Sequence, residues 1–354
     1  MIDTTSIVAL RSSGQDKDGS WRFQSIQPPN PLYADVAFGG STLAQSIHAA
    51  YQTIEPARLA NLRPYSMLGH FYGATRSSVP LDLKVTALRD TRGFATRQVI
   101  VSQPTTDIAG KTRTTSVILV DFIAKAQDRT MLSFSAQPRI SPLTHHSKLQ
   151  DMHEKLQIDA ENGSIDKRKL AFMMPSFDLL NIWHNRYCPE GVLAQRSVGM
   201  RLDKETTQDS LPHAEKASYD WIQLREKLPL AHSTSKDDTG TLLPPTTSAT
   251  SACLFAHFLD TWTSVVAPWW AKIGPEEAQV YATLDFALRF HVDELDAGQW
   301  HLREQTALAA GDERDHVQVG LWREGGEGKG EMEMVASMTQ TCALKGPKGA
   351  KAKI

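Results

Sequence analysis

The chain has 354 residues, 41% hydrophobic and 22% charged, with a formal net charge of −2. That length predicts two domains or one duplicated fold, and the near-neutral balance gives no electrostatic reason for a nucleic-acid or anionic-membrane partner. No run of about 18 apolar residues occurs, so no membrane span is expected, and the N-terminus lacks the basic-then-apolar order of a signal peptide.

The first long element is "AFGGSTLAQSIHAAYQTI", residues 37–54. Leu43, Ile47, Ala50, Tyr51 and Ile54 recur at i, i+4, i+7, i+8 and i+11, the apolar face of a helix of roughly four turns. It opens on Gly39-Gly40, which serves a tight helix entry or leaves backbone amides free for an anion or a carbonyl oxygen. Four segments rich in Val, Ile, Thr and aromatics follow, at 65–76, 81–90, 94–103 and 112–124. Turns around Gly93 and Gly110 separate them, which predicts an antiparallel meander.

The middle of the chain is mixed. His145-His146 lies in a polar stretch near Pro142; adjacent side chains are expected to point apart, which favours a loop over a metal site. Residues 146–169 read as a charged surface helix and loop, and the Asn-Gly-Ser at Asn162 as a chance sequon. "FDLLNIWHNRYC" and "DWIQLREKL" can each supply an extra strand, and the Ser/Thr/Pro-rich stretch 233–251 reads as a mobile loop.

The helix-then-strands order then returns. Residues 252–270 read as one helix, with Leu254, Phe258, Trp262 and Val265 as its stripe and Pro268 limiting its end. Strands are predicted at 280–292, 299–310, 315–324 and 333–344. Two halves in the same order are an internal repeat. The expected organisation is a first unit 1–135, a connecting segment 136–170, a second unit 171–345 with the insertion 233–251, and a tail 346–354.

The three cysteines, Cys188, Cys253 and Cys342, are odd in number and widely spaced. They support neither a disulfide framework nor a cysteine zinc site, and fit a reducing, intracellular compartment. The terminal Ala352-Lys353-Ile354 follows the small-basic-aliphatic form of a peroxisomal address, so a peroxisomal import receptor is a candidate partner and the cytoplasm the alternative location.

These elements together resemble the acyl-CoA thioesterase II family, whose fold is a double hotdog: α+β, with two long antiparallel sheets, each wrapping a central helix. The likeness is carried by "FGGSTLAQSIHAA" (38–50), by "LKVTALRDTRGFATRQVIVSQ" (83–103) with Leu88-Arg89-Asp90, Gly93-Phe94 and Arg97, and by "FAHFLD" (255–260), "ATLDFALRFH" (282–291) and "ASMTQ" (336–340). The resemblance implies hydrolysis of fatty acyl-CoA to fatty acid and CoA. Carried over by motif, the catalytic set falls on Asp260, Thr283 and Gln340, with no cofactor and no metal. A homo-oligomer is a further candidate assembly, whose state the sequence does not give.

The chemistry fits those residue types. A carboxylate can activate water, while a hydroxyl and an amide hold that water and orient the carboxylate. Read without the resemblance, Asp260 is a solvent-facing residue in mid-helix, Thr283 an ordinary strand threonine and Gln340 an exposed strand residue. Gly39, Gly40, His257 and Asp285 are the candidate substrate-side neighbours. Asp285 alternates onto the same strand face as Thr283 and is a competing carboxylate. Matching Ala44 to Ala256 places His48 near the Asp260 position and Met67 near Thr283, so one active site per chain is expected. The long linker and the bulky "TWTSVV" after Asp260 depart from the family pattern. Two other readings stand beside this one. The first is a non-catalytic acyl-binding or interaction protein on a degenerate double hotdog. The second is an enoyl-CoA hydratase-type enzyme, for which Asp285 with His291 is the only near pair.

Overall fold

The computed structural model describes residues 3–106, 110–127, 130–226, 228, 240–274, 277–278, 280–325 and 331–349. In chain order the elements are α1 (Thr4–Val8), β1 (Leu10–Gln15), β2 (Trp21–Ser25), β3 (Pro31–Tyr33), β4 (Val36–Ala37), α2 (Gly39–Tyr51), α3 (Pro56–Leu59), β5 (Leu62–Phe71), β6 (Asp82–Asp90), β7 (Phe94–Pro104) and β8 (Thr112–Ala124). Next come α4 (Met152–Glu161), α5 (Lys167–Phe177), β9 (Trp183–Tyr187), α6 (Val192–Gln195), β10 (Ser218–Leu224), β11 (Thr241–Leu242) and α7 (Thr247–Leu259). The chain continues with α8 (Val266–Trp270), β12 (Val280–Phe290), β13 (His301–Gly311), β14 (Arg314–Glu324) and β15 (Met332–Lys345). No helix among the described residues is long and apolar enough to cross a membrane.

Two compact units form. The first comprises Met1–Phe134, Glu226–Asp260 and Asp285–Gly298. Its strands run in the order β11, β1, β2, β6, β7, β8, β5 and the second half of β12, and every pairing is antiparallel. Helix α2 lies on β6, β7 and β8. Leu43, Ile47, Ala50, Tyr51 and Ile54 are all at most 4% exposed, which contributes roughly 1.5–3 kcal/mol for each large side chain buried. Arg97 explains the "GFATR" motif. Its buried guanidinium donates to the Thr53 carbonyl (3.2 Å) and hydroxyl (2.8 Å) and to Asp90 (3.0 Å), tying the turn after α2 to β6 and β7.

The second unit comprises Ser135–Arg225, Thr261–Leu284 and Gln299–Ile354. Its strand order is the first half of β12, then β15, β14, β13, β10 and β9. The pairings of β15 through β9 are antiparallel. The two anticipated extra strands are β9 and β10. A core of Val192, Val266, Trp270, Ala307, Val317 and Cys342 joins α6 and α8 to the sheet. Arg303 and Asp220 form an ion pair inside the unit, both side chains wholly buried, with Arg303 Nε 2.9 Å from Asp220 Oδ1. Asn185 donates to Asp220 Oδ2 at 2.6 Å, and Arg303 also donates to the carbonyl of Thr261 at 3.0 Å.

Asp315 is buried beside this core. Desolvation pushes its carboxyl up to about 7, and the thiol of Cys342, its cross-strand neighbour, gives only partial relief. A carboxyl whose native value is raised contributes most to stability while protonated; that contribution falls as pH rises from the unfolded value of 3.8 through about 7. Asp315→Asn is therefore expected to be more stable than wild type at pH 8, by up to roughly 4 kcal/mol, with the gap closing near pH 4. Urea denaturation of both proteins at the two pH values measures it, and a gap independent of pH would refute it.

Three sequence expectations are corrected. Residues 252–270 are not one helix: α7 ends at Leu259, Trp262 adopts φ +63°, and α8 begins at Val266. Pro268 is the third residue of α8, where a missing N–H costs no hydrogen bond, so it does not end the preceding helix. The Ser/Thr-rich stretch is not all loop. Thr241–Leu242 pairs with β1, and Thr246 caps α7 by accepting from the Ala249 amide at 3.0 Å; small residues there are packed as helix rather than left as linker. Residues 233–239 of that stretch, 326–330 of the "GGEGKGE" tract and the terminal Ala352-Lys353-Ile354 lie outside the described residues. Strands β1 and β2 have no counterpart among the expected elements.

Candidate functional site

Asp260 is the C-cap of α7, not a mid-helix residue, and is buried. The two central helices, α2 and α7, have 13 residues each and pack antiparallel within the first unit: the start of α2 meets the end of α7, and Gln52 after α2 donates to the Leu243 carbonyl ahead of α7. Gly39 and Gly40 permit that approach. A Cβ on Gly39 would lie 2.7 Å from Oδ2 of Asp260, and a Cβ on Gly40 would run into the carbonyl oxygen of His257. The opening glycines thus answer to a close backbone contact between helices, with the Asp260 carboxylate set against the first residue of α2.

Two helix dipoles act on that carboxylate in opposite senses. The carbonyl end of its own helix disfavours the negative charge, while the amide end of α2 beside it favours the charge. His257, one turn earlier, is fully buried and packs edge-on against Phe38, with ring centroids 4.9 Å apart. Burial lowers its imidazole to about 3, so it is neutral at physiological pH. Neither ring nitrogen has a hydrogen-bond partner among the described residues. On α2, Thr42 Oγ1, Gln45 Oε1 and Ser46 Oγ are buried without such partners as well.

In the second unit, Thr283 on β12 and Gln340 on β15 are brought together. Thr283 Oγ1 lies 3.5 Å from Gln340 Oε1, at the long limit of a hydrogen bond. Gln340 is fully buried, contrary to its reading as an exposed strand residue, and Thr283 is half-buried. The Cys342 thiol lies 3.9 Å from Gln340 Oε1. Asp285 is half-buried in β12, where its neighbour on β5 is His70. Asp285 and His291 are six positions apart along extended chain, about 20 Å, so they do not make a close acid–base pair.

Matching α2 and α7 end to end aligns Gln52, not His48, with Asp260, because both are the C-caps of helices of equal length. His48 is held on both ring nitrogens: its Nδ1 is 2.6 Å from the Val8 carbonyl and its Nε2 is 2.8 Å from Gln52 Nε2, and burial lowers it to about 4. No carboxylate occupies either position in the first half. The Arg303–Asp220 pair escaped the sequence reading. Its signal was weak: Asp220 is the one charge in the strand "SYDWIQL", whereas Arg303 stands among other polar residues in "HLREQT".

Family comparison matches residues 27–123 to the acyl-CoA thioesterase N-terminal domain and residues 193–344 to the acyl-CoA thioesterase C-terminal domain. No curated protein matches the sequence. Among solved structures, the chain is similar to acyl-CoA thioesterase II TesB2 of Mycobacterium marinum, with 19% identity, TM-score 0.61, and coverage of 98% of this chain and 100% of that one. It is also similar to a tesB protein of Mycobacterium avium subspecies paratuberculosis (18%, TM-score 0.57, covering 96% and 97%). A hot dog fold protein from Alicyclobacillus acidocaldarius is likewise similar (14%, TM-score 0.59, covering 98% and 99%). The fold is a double hotdog, and the chain belongs to the acyl-CoA thioesterase family, whose members are thioester hydrolases.

Proposed function

We propose that this thioesterase hydrolyses fatty acyl-CoA by direct attack of water, with Asp260, Thr283 and Gln340 as the catalytic set. Asp260 takes a proton from the water as its oxygen bonds to the thioester carbonyl carbon. The carbon–sulfur bond then breaks, and the proton returns to the leaving thiolate, giving a fatty acid and CoA. Thr283 and Gln340 supply a hydroxyl and an amide to hold the water or the developing oxyanion. Gly39, Gly40, His257 and Asp285 are the proposed neighbours of the thioester end of the substrate, and Gly39 opens α2 beside the reacting carboxylate.

The observation that carries this reading is the placement of Asp260. A buried carboxylate at a helix end, set in direct contact with the glycine that opens the neighbouring helix, is a costly arrangement for a residue with only a surface role. The thiol released from acyl-CoAs of graded chain length, followed with DTNB, is the test; wild type that frees no CoA at any length would sink the hydrolase reading for this chain.

Gly39→Ala probes the same geometry. The added methyl meets the flexible end of the Asp260 side chain, at 2.7 Å, rather than backbone. The carboxylate is expected to move, lowering kcat roughly 10²-fold while the urea midpoint changes by less than about 1 kcal/mol equivalent. An unchanged kcat would show that the Asp260 position is not critical.

A further inference from the structure

His145 and His146 do not point apart. Their ring centroids lie 3.9 Å from each other, tilted by 36°. Two contacts impose this. His146 stacks on Trp300, with centroids 4.3 Å apart and planes within 13°, and meets Trp221 edge-on at 5.2 Å. His145 caps the short 3-10 turn His146–Lys148, its Nδ1 accepting from the Ser147 amide at 3.2 Å. Arg186 stiffens the same corner: its guanidinium lies 4.8 Å over the Trp300 ring and donates to the His146 carbonyl at 2.8 Å. At the end of β14, Glu324 brings Oε1 to 2.9 Å from His145 Nε2. One ligand atom from each of His145, His146 and Glu324 lies within 4.8 Å of the others. All of these residues belong to the second unit.

We propose that His145, His146 and Glu324 form a binding site for a divalent transition ion of the zinc type, through two imidazole nitrogens and one carboxylate oxygen, with water completing the shell. Nitrogen and carboxylate donors of this kind suit zinc, which takes them at about 2.0–2.2 Å in a tetrahedral shell with one open position. The span of 4.8 Å must contract by roughly 1.2–1.5 Å to reach such a shell. The freedom to contract exists on two of the three ligands: His145 and Glu324 have side chains 44% and 51% exposed, whereas His146 is fixed by Trp300. A bound ion would clip the connecting segment before α4 to the end of β14. The site stands apart from the catalytic reading and survives or fails independently of it.

Calorimetric titration of the full chain with zinc chloride tests the proposal. One ion per chain with micromolar affinity is expected. Glu324→Gln and His145→Asn should each weaken binding by about tenfold or more while leaving the circular dichroism spectrum unchanged. His146→Ala is the riskier variant, because Trp300 loses its stacking partner, so the other two variants are decisive. Absence of binding to wild type at millimolar zinc, or equal affinity in the Glu324→Gln/His145→Asn double variant, would overturn it.

Discussion

Asp260→Asn is expected to lower kcat for acyl-CoA hydrolysis by roughly 10²–10⁴-fold, the range lost when a positioned general base is removed. The amide keeps the size and shape of the carboxylate, so the close fit against Gly39 survives. Because the interaction is made with the attacking water rather than with the acyl or CoA arms, KM should change little. That split distinguishes loss of a base from loss of a binding surface. A steady-state DTNB assay on wild type and variant measures both parameters. Full activity in Asp260→Asn would remove the catalytic assignment and leave membership of the family intact.

The largest stability effect is expected at Arg303. Replacing it with Met leaves the Asp220 carboxylate wholly buried, with the Asn185 amide still donating to Oδ2 but no countercharge, and breaking such a pair costs about 3–5 kcal/mol. Desolvation already raises the Asp220 carboxyl even with Arg303 in place. The variant also loses the donor to the Thr261 carbonyl, the peptide that follows Asp260, although Gln305 still reaches that oxygen at 3.1 Å. Asp220→Leu in the Arg303→Met background should recover much of the loss, since a buried ion pair and an apolar pair of similar volume are close in stability. Urea unfolding of the two single variants and the double variant completes the cycle; a double variant as unstable as Arg303→Met would show that the cost lies in packing rather than in stranded charge.

Much of this architecture was legible in the chain. Strand β7 alternates inward and outward residues along its whole length and β12 over most of its own, and a period of two that long has few other readings; β13, with seven buried positions followed by four exposed, was legible by its composition and its place in the repeated order rather than by alternation. Strands β1 and β2 were hidden because "LRSSGQ" is polar, mostly exposed and carries a register shift at Ser12/Gly14, with Gly14 at φ +100°. The end of α7 was hidden for another reason. Nothing in "LDTWTS" is a glycine or proline, and Trp262 enters the left-handed region although its side chain type rarely does; Phe177 and Trp269 pack on its ring and hold it there. The paired histidines failed a rule about neighbouring side chains because Trp300, far away in sequence, stacks on one of them. Of the candidate site, the residue types came from motif order, whereas the meeting of Gly39 with Asp260 could be seen only once two distant helices were packed.

That meeting joins positions more than two hundred residues apart. Arg63 with Asp293 is a further link of the same reach, and Lys125 with Glu294, 169 positions apart, is nearly as long. During synthesis, α2 and the sheet beneath it leave the ribosome long before α7 exists, with buried-to-be Thr42, Gln45 and Ser46 still in water. Long-range closure of this kind slows folding and leaves an unfinished surface open to other chains. The first unit can therefore close only after the chain has been translated through Gly298.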